Sequence, residues 1–129
     1  MAADPIDIAA AVLRLRTLAN PARLRIVLAL LAGEQSVAAL EAGLALRQPN
    51  LSQHLAELRD AGLLAARRES RAVFYRLAGD EPRRLVLGLL HGFGGVAPPP
   101  VAPVPAPVPP ARQRPVEAAV FATVGGGPG

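Results

Sequence analysis

The sequence predicts a mainly α-helical domain of five helices with one small two-stranded β-hairpin. Three observations carry that expectation. Residues 47–63, RQPNLSQHLAELRDAGL, set Leu51, Leu55 and Leu58 at helical spacing behind a short-polar start made of Gln48, Asn50, Ser52, Gln53 and His54. A shorter apolar segment, Val37 to about Leu44, stands just before it, so the two read as helix, tight turn, helix. After it, Val73, Tyr75 and Leu77 alternate with Phe74 and Arg76 in the manner of a strand. Helix, turn, helix and then hairpin is the winged helix-turn-helix arrangement.

Each element has a local reason. A first helix is expected from about Pro5 to Leu18, with Ile8, Val12, Leu15 and Ala19 on one face and Leu13 and Leu18 on another. Asn20-Pro21 then supplies an N-cap and a residue suited to the first helical position. The second helix follows, with Leu24, Val27, Leu28 and Leu31 at i, i+3, i+4 and i+7, and Gly33 closes it. Ser36 is placed to cap the third helix, which turns Val37, Leu40 and Leu44 inward. The fourth helix is the 47–63 stretch. Arg47 sits where a Ser or Thr cap would help, and losing such a cap costs about 1 kcal/mol. Pro49 is tolerated because first-turn N–H groups lack intrahelical partners, and Gly62 ends the helix. Leu64 to Arg68 is expected to pair with the 73–77 strand, with Glu69-Ser70-Arg71 at the tip. Asp80 and Glu81 then open a last helix to about Phe93, with Pro82 in its first turn.

Leu85, Val86, Leu87, Leu89 and Leu90 wrap most of that last helix. One small domain cannot cover so much apolar surface. Together with the first helix, the surplus predicts a homodimer interface that includes Val12, Leu15, Leu85, Leu89 and Leu90. From Gly94 the composition changes. Pro98-Pro99-Pro100 and the Val/Ala/Pro alternation to Pro110 are incompatible with helix or sheet. The expected division is a DNA-binding and dimerisation domain over 1–94 and a Pro/Gly-rich disordered tail over 95–129. The tail has Arg112, Arg114 and an apolar patch from Val116 to Val124, compatible with no role, with a docking peptide or with electrostatic help in DNA binding.

Composition narrows the chemistry. The 129 residues have a formal net charge of +4, and every basic residue is Arg, which pairs well with phosphate and guanine. There is no cysteine, so disulfides, thiolate metal sites and thiol redox sensing are excluded for these residues. Residues 1–10 carry Asp4 and Asp7 and no Lys or Arg, and the apolar run Ile26–Ala32 is too short to span a bilayer. A cytoplasmic protein with no membrane partner is expected. The sequence has no Gly-rich phosphate loop, and its only histidines are His54 and His91. Ser52 and His54 lie two apart on a helix and point to different faces, so no nucleophile has a base in reach. Neither enzymatic activity nor a metal or other cofactor is expected.

Short, mostly uncharged side chains at the start of the fourth helix suit the reading of base edges in a major groove. The hairpin carries Arg67, Arg68, Arg71 and Arg76, and directly after such a helix those arginines suit phosphates or a minor groove. Two functions follow. One is a sequence-specific, dimeric DNA-binding repressor of transcription on double-stranded operator DNA, released by an inducer the sequence does not name. The alternative is a winged-helix protein-interaction module with tail-mediated partner binding and vestigial DNA binding.

The run Leu-Ala-Asn-Pro-Ala-Arg-Leu at 18–24, Gln-Pro-Asn-Leu-Ser-Gln-His-Leu at 48–55, Leu-Arg-Asp-Ala-Gly-Leu at 58–63 and Phe74-Tyr75-Arg76-Leu77 resemble the ArsR family of winged-helix regulators over roughly residues 8–93. The resemblance implies a homodimer joined through its first and last helices, and an operator bound by paired recognition helices. It implies base-reading positions at Gln48, Asn50, Ser52, Gln53 and His54, and wing positions at Arg68 and Arg71. Arg47 replaces the family's usual Ser. The chain looks closest to the sulfur- and redox-responsive branch, whose two cysteines fall here on Leu28 and Gly94. Other members' metal sites fall on Glu34–Ala39, or on a last helix that offers only Asp80 and His91. The resemblance therefore implies no metal site and leaves the inducer unnamed.

Overall fold

A computed structural model describes residues 3–47 and 49–101. Helix α1 runs Ile8–Leu18 and starts later than the expected Pro5, because the Asp7 carboxylate accepts from the Ala10 N–H at 3.1 Å and caps the helix there. Helix α2, Pro21–Leu30, is capped by Asn20, whose side chain accepts from the Arg23 N–H at 3.1 Å. Its buried residues are Ile26, Val27 and Leu30, with Leu31 just after. That corrects the expected stripe. Leu24 and Leu28 are only partly buried.

The sheet has a strand the sequence did not announce. Strand β1 is only Gln35–Ser36, and it pairs antiparallel with β3, Ala72–Leu77, through Gln35↔Tyr75 and Ser36↔Phe74. Strand β2, Leu64–Glu69, pairs with the other edge of β3 from Leu64↔Leu77 to Glu69↔Ala72, so the order is β1-β3-β2. The expected hairpin is thus present with a short third strand at its edge. Only Ser70 and Arg71 lie between the paired ends, and Ser70 adopts φ 56°. A turn this tight needs a positive φ, which Gly or Asn would supply at lower cost.

Ser36 also caps helix α3, Val37–Leu44, by accepting from the Ala39 N–H at 3.0 Å. Helix α4 spans Asn50–Asp60, and the Leu51 N–H already donates to the Arg47 carbonyl at 2.9 Å. Its end is a paired-hydrogen-bond stop. The Gly62 N–H donates to the Arg59 carbonyl at 2.9 Å, and the Leu63 N–H to the Leu58 carbonyl at 3.0 Å, with Gly62 at φ 78°. Leu58 and Leu63 are both wholly buried, which supplies the apolar contact usual in such a stop.

Helix α5, Asp80–Gly92, starts with Asp80 and Glu81 in its first turn and buries Pro82 and Val86. It ends the same way as α4, through Gly94 N–H to His91 (3.0 Å) and Gly95 N–H to Leu90 (2.8 Å). The core joins Ile26 and Leu30 of α2, Leu40 of α3, Leu51, Leu55 and Leu58 of α4, Tyr75 and Leu77 of β3 and Val86 of α5. Residues 95–101 have neither helix nor strand, yet the Val101 N–H donates to the Ala32 carbonyl at 2.7 Å. The remainder of the expected tail, with Arg112, Arg114 and Val116–Val124, lies outside the described residues.

Candidate nucleic-acid interface

Helix α4 divides into two faces. Leu51, Leu55 and Leu58 are at most 1% exposed, so the rod is fixed along one side by apolar contact. Asn50, Ser52 and Gln53 are exposed on the first turns. Further along, the exposed residues become charged: Glu57, Arg59 and Asp60, the last two 3.8 Å apart. Phosphate oxygens repel carboxylates, so only the N-terminal half of this face suits DNA. Arg47 is exposed just ahead of it. Gln48, expected beside these residues, lies outside the described residues. His54 differs from its neighbours. It is half-buried, and its Nδ1 accepts from the Arg23 Nε–H at 3.1 Å.

The four arginines of the hairpin separate into two kinds, with Arg76 of β3 exposed and in none of the ion pairs seen among the described residues. Arg68 and Arg71 are exposed and make no ion pair among the described residues. Arg67 is tied down. It reaches Glu34 at 2.8 Å and Glu69 at 2.9 Å, and its guanidinium lies 4.6 Å from the Phe74 ring centre. Hydrogen bonds that its guanidinium donates to Glu34, then to Glu69, hold its pKa above the ordinary arginine value. Arg67 therefore fastens the wing to the segment between α2 and β1, whereas Arg68 and Arg71 have no such tie to a carboxylate among the described residues. Alternation along β2 places Arg67 and Glu69 on one side and Arg68 on the other.

Residues 20–66 match the family described as bacterial regulatory protein, arsR family. The biofilm growth-associated repressor of Agrobacterium fabrum is 53% identical over 79 residues, which is 61% of this chain and 68% of that protein. The transcriptional activator HlyU of Vibrio cholerae is 46% identical over 83 residues, 64% of this chain and 76% of its own length. Its solved structure superposes with a TM-score of 0.65 at 42% identity, covering 70% of this chain and 98% of that one. The homodimeric winged helix-turn-helix DNA-binding domain Mb0332 of Mycobacterium bovis, solved by NMR, gives 0.63 at 30% identity, covering 67% and 80%. The chain belongs to the arsR family. It is a DNA-binding transcriptional regulator with a winged helix-turn-helix fold, and not an enzyme.

In this arsR-family chain, α1 presents Ile8, Val12 and Leu15 to solvent at 48%, 40% and 49% exposure. Leu15 joins Leu89 and Leu90 of α5 at an apolar groove of about 380 Å³, which Leu28 and Phe93 also line. Leu85, the fifth residue expected at an interface, is partly buried against the core. Of the two positions matched to the sulfur-responsive branch, Leu28 lines this groove and Gly94 lies between two residues that do, Phe93 and Gly95; the described side chains that line it are apolar. Among the described residues, no three His, Asp or Glu side chains are grouped to hold a metal ion, and no helix is long and apolar enough to cross a membrane.

The sequence reading missed Arg23 and Glu34. Both act on residues more than thirty positions away, His54 and Arg67, and no local spacing announces such pairs.

Proposed function

We propose that this regulator is a cytoplasmic homodimeric repressor that reads an inverted-repeat operator in double-stranded DNA and is released by an inducer. Asn50, Ser52, Gln53 and Gln48 are assigned to base edges, His54 to the flank of that set, and Arg68 and Arg71 to phosphates. The observation that carries the assignment is the exposed, uncharged polar start of α4 on a helix whose opposite side is sealed by leucines. Dimerisation is supported by the exposed α1 stripe and by the homodimeric Mycobacterium bovis relative. Repression is supported by the name of the Agrobacterium relative. The working unit is residues 1–94, with 95–129 as a tail.

The test is a titration of the chain's own promoter region, as a labelled fragment, at several salt concentrations, with a reporter for the sign of regulation. Specific binding that weakens steeply with salt, footprint halves about one helical turn apart and lower transcription are expected. Gln53→Ala should cost about 1–3 kcal/mol of discrimination at one base position. Equal affinity for random DNA, or transcription raised by the protein, overturns the proposal.

A further inference from the structure

We infer that Arg23 is a positioning residue for DNA recognition, acting on the base-reading helix through His54. Arg23 lies in the first turn of α2, half-buried, with its backbone held by Asn20. Its Nε–H donates to His54 Nδ1 at 3.1 Å, and its Nη1 reaches the Thr17 carbonyl of α1 at 3.5 Å. One side chain thus joins α1, α2 and the start of α4.

The consequence lies in the kind of contact. Leu51, Leu55 and Leu58 hold α4 by apolar burial, which is non-directional and tolerates a small rotation about the helix axis. A hydrogen bond does not, because it weakens steeply with angle. A rotation of about 10° in a rod of roughly 5–6 Å radius moves a side-chain tip by about 1 Å. That shift is enough to break a base-edge hydrogen bond. His54 is one residue from Gln53 and one helical turn from Asn50, so anchoring it fixes the azimuth of both. For Nδ1 to accept, the ring must carry its proton on Nε2. The role rests on the proposed entry of α4 into DNA.

The experiment compares operator affinity per folded molecule of the full chain for Arg23→Met, His54→Leu, His54→Asn, His54→Gln and Gln53→Ala, alongside thermal unfolding. Asn places its oxygen near the position of Nδ1 and Gln does not. Arg23→Met, His54→Leu and His54→Gln should each weaken specific binding about tenfold, and His54→Asn should restore most of it. Nitrogen-15 spectra of the native chain should show an unprotonated Nδ1. Unchanged affinity in Arg23→Met and His54→Leu, or a loss that only follows the unfolded fraction, overturns the role of Arg23 while a Gln53→Ala effect leaves the reading of α4 standing. If Gln53→Ala also has no effect, the reading of α4 fails and the role of Arg23 with it.

Discussion

The division of the wing arginines yields a number. Salt dependence of DNA binding counts the phosphates a protein neutralises, with a log–log slope of about −0.9 per contact. Arg71 lies exposed in the turn, with no carboxylate partner among the described residues. In a dimer, Arg71→Ala removes two such contacts and should make the slope shallower by about 1.8. Adding Arg68→Ala should bring the change to about 3.6. Arg67→Ala should behave differently, because Glu34 and Glu69 already hold its charge at 2.8 and 2.9 Å. Its removal leaves two carboxylates under the wing, so affinity should fall with little change of slope. The assay is fluorescence anisotropy on one operator fragment across a salt series, for wild type and the three variants. An Arg67→Ala slope change as large as that of Arg71→Ala would refute the assignment, as would an unchanged slope for Arg71→Ala.

Other expectations concern the scaffold. Leu55→Ala empties a site that is 1% exposed and should cost 2–5 kcal/mol, roughly, in urea unfolding. Gly62→Ala should cost about 1 kcal/mol, because φ 78° disfavours a side chain, whereas the new Cβ would meet only the flexible end of Arg14 at 3.4 Å. Leu15→Glu alters a residue already 49% exposed, so the chain should stay folded while sedimentation shows the dimer replaced by monomer. A Leu15→Glu chain that still sediments as a tight dimer would place the interface elsewhere.

Much of this architecture was legible because its signals are local. The caps at Asn20 and Ser36, the leucine stripe of α4 and the stop at Gly62 each depend on residues within a few positions, and the structure has them as expected. Helix α2 shows where periodicity stops deciding. Leu24, Ile26, Val27, Leu28, Leu30 and Leu31 offer two overlapping stripes, and only the packing of the other elements around α2 selects Ile26, Val27, Leu30 and Leu31 for the core. The other stripe supplies Leu24 and Leu28 to the groove. Strand β1 is two residues long, too short to carry a period, and exists because β3 offers it a free edge. Within the candidate site, residue type pointed to Asn50, Ser52 and Gln53, but it could not distinguish Arg67 from Arg68. The pleat could have: Arg67 shares a side with Glu69 and pairs across the ladder with Phe74, a set that favours a fixed guanidinium over a phosphate contact.

The same separation of duties holds at both of the elements proposed to face DNA. At α4, leucines hold the helix and Asn50, Ser52 and Gln53 remain outside the core. At the wing, Glu34, Glu69 and Phe74 fix Arg67, and Arg68 and Arg71 are paired with no carboxylate among the described residues. In each case the anchoring groups come partly from α2 or the segment after it: Arg23 toward α4 and Glu34 toward β2. Helix α2 also contributes Leu28 to the groove beside α1 and α5. A shift of α2 relative to α5 would therefore reach the helix and the wing together, through Arg23 in the first turn of α2 and Glu34 in the segment that follows it. An inducer of the kind proposed, if it acted on α2, would have a route to both of the elements proposed to face DNA.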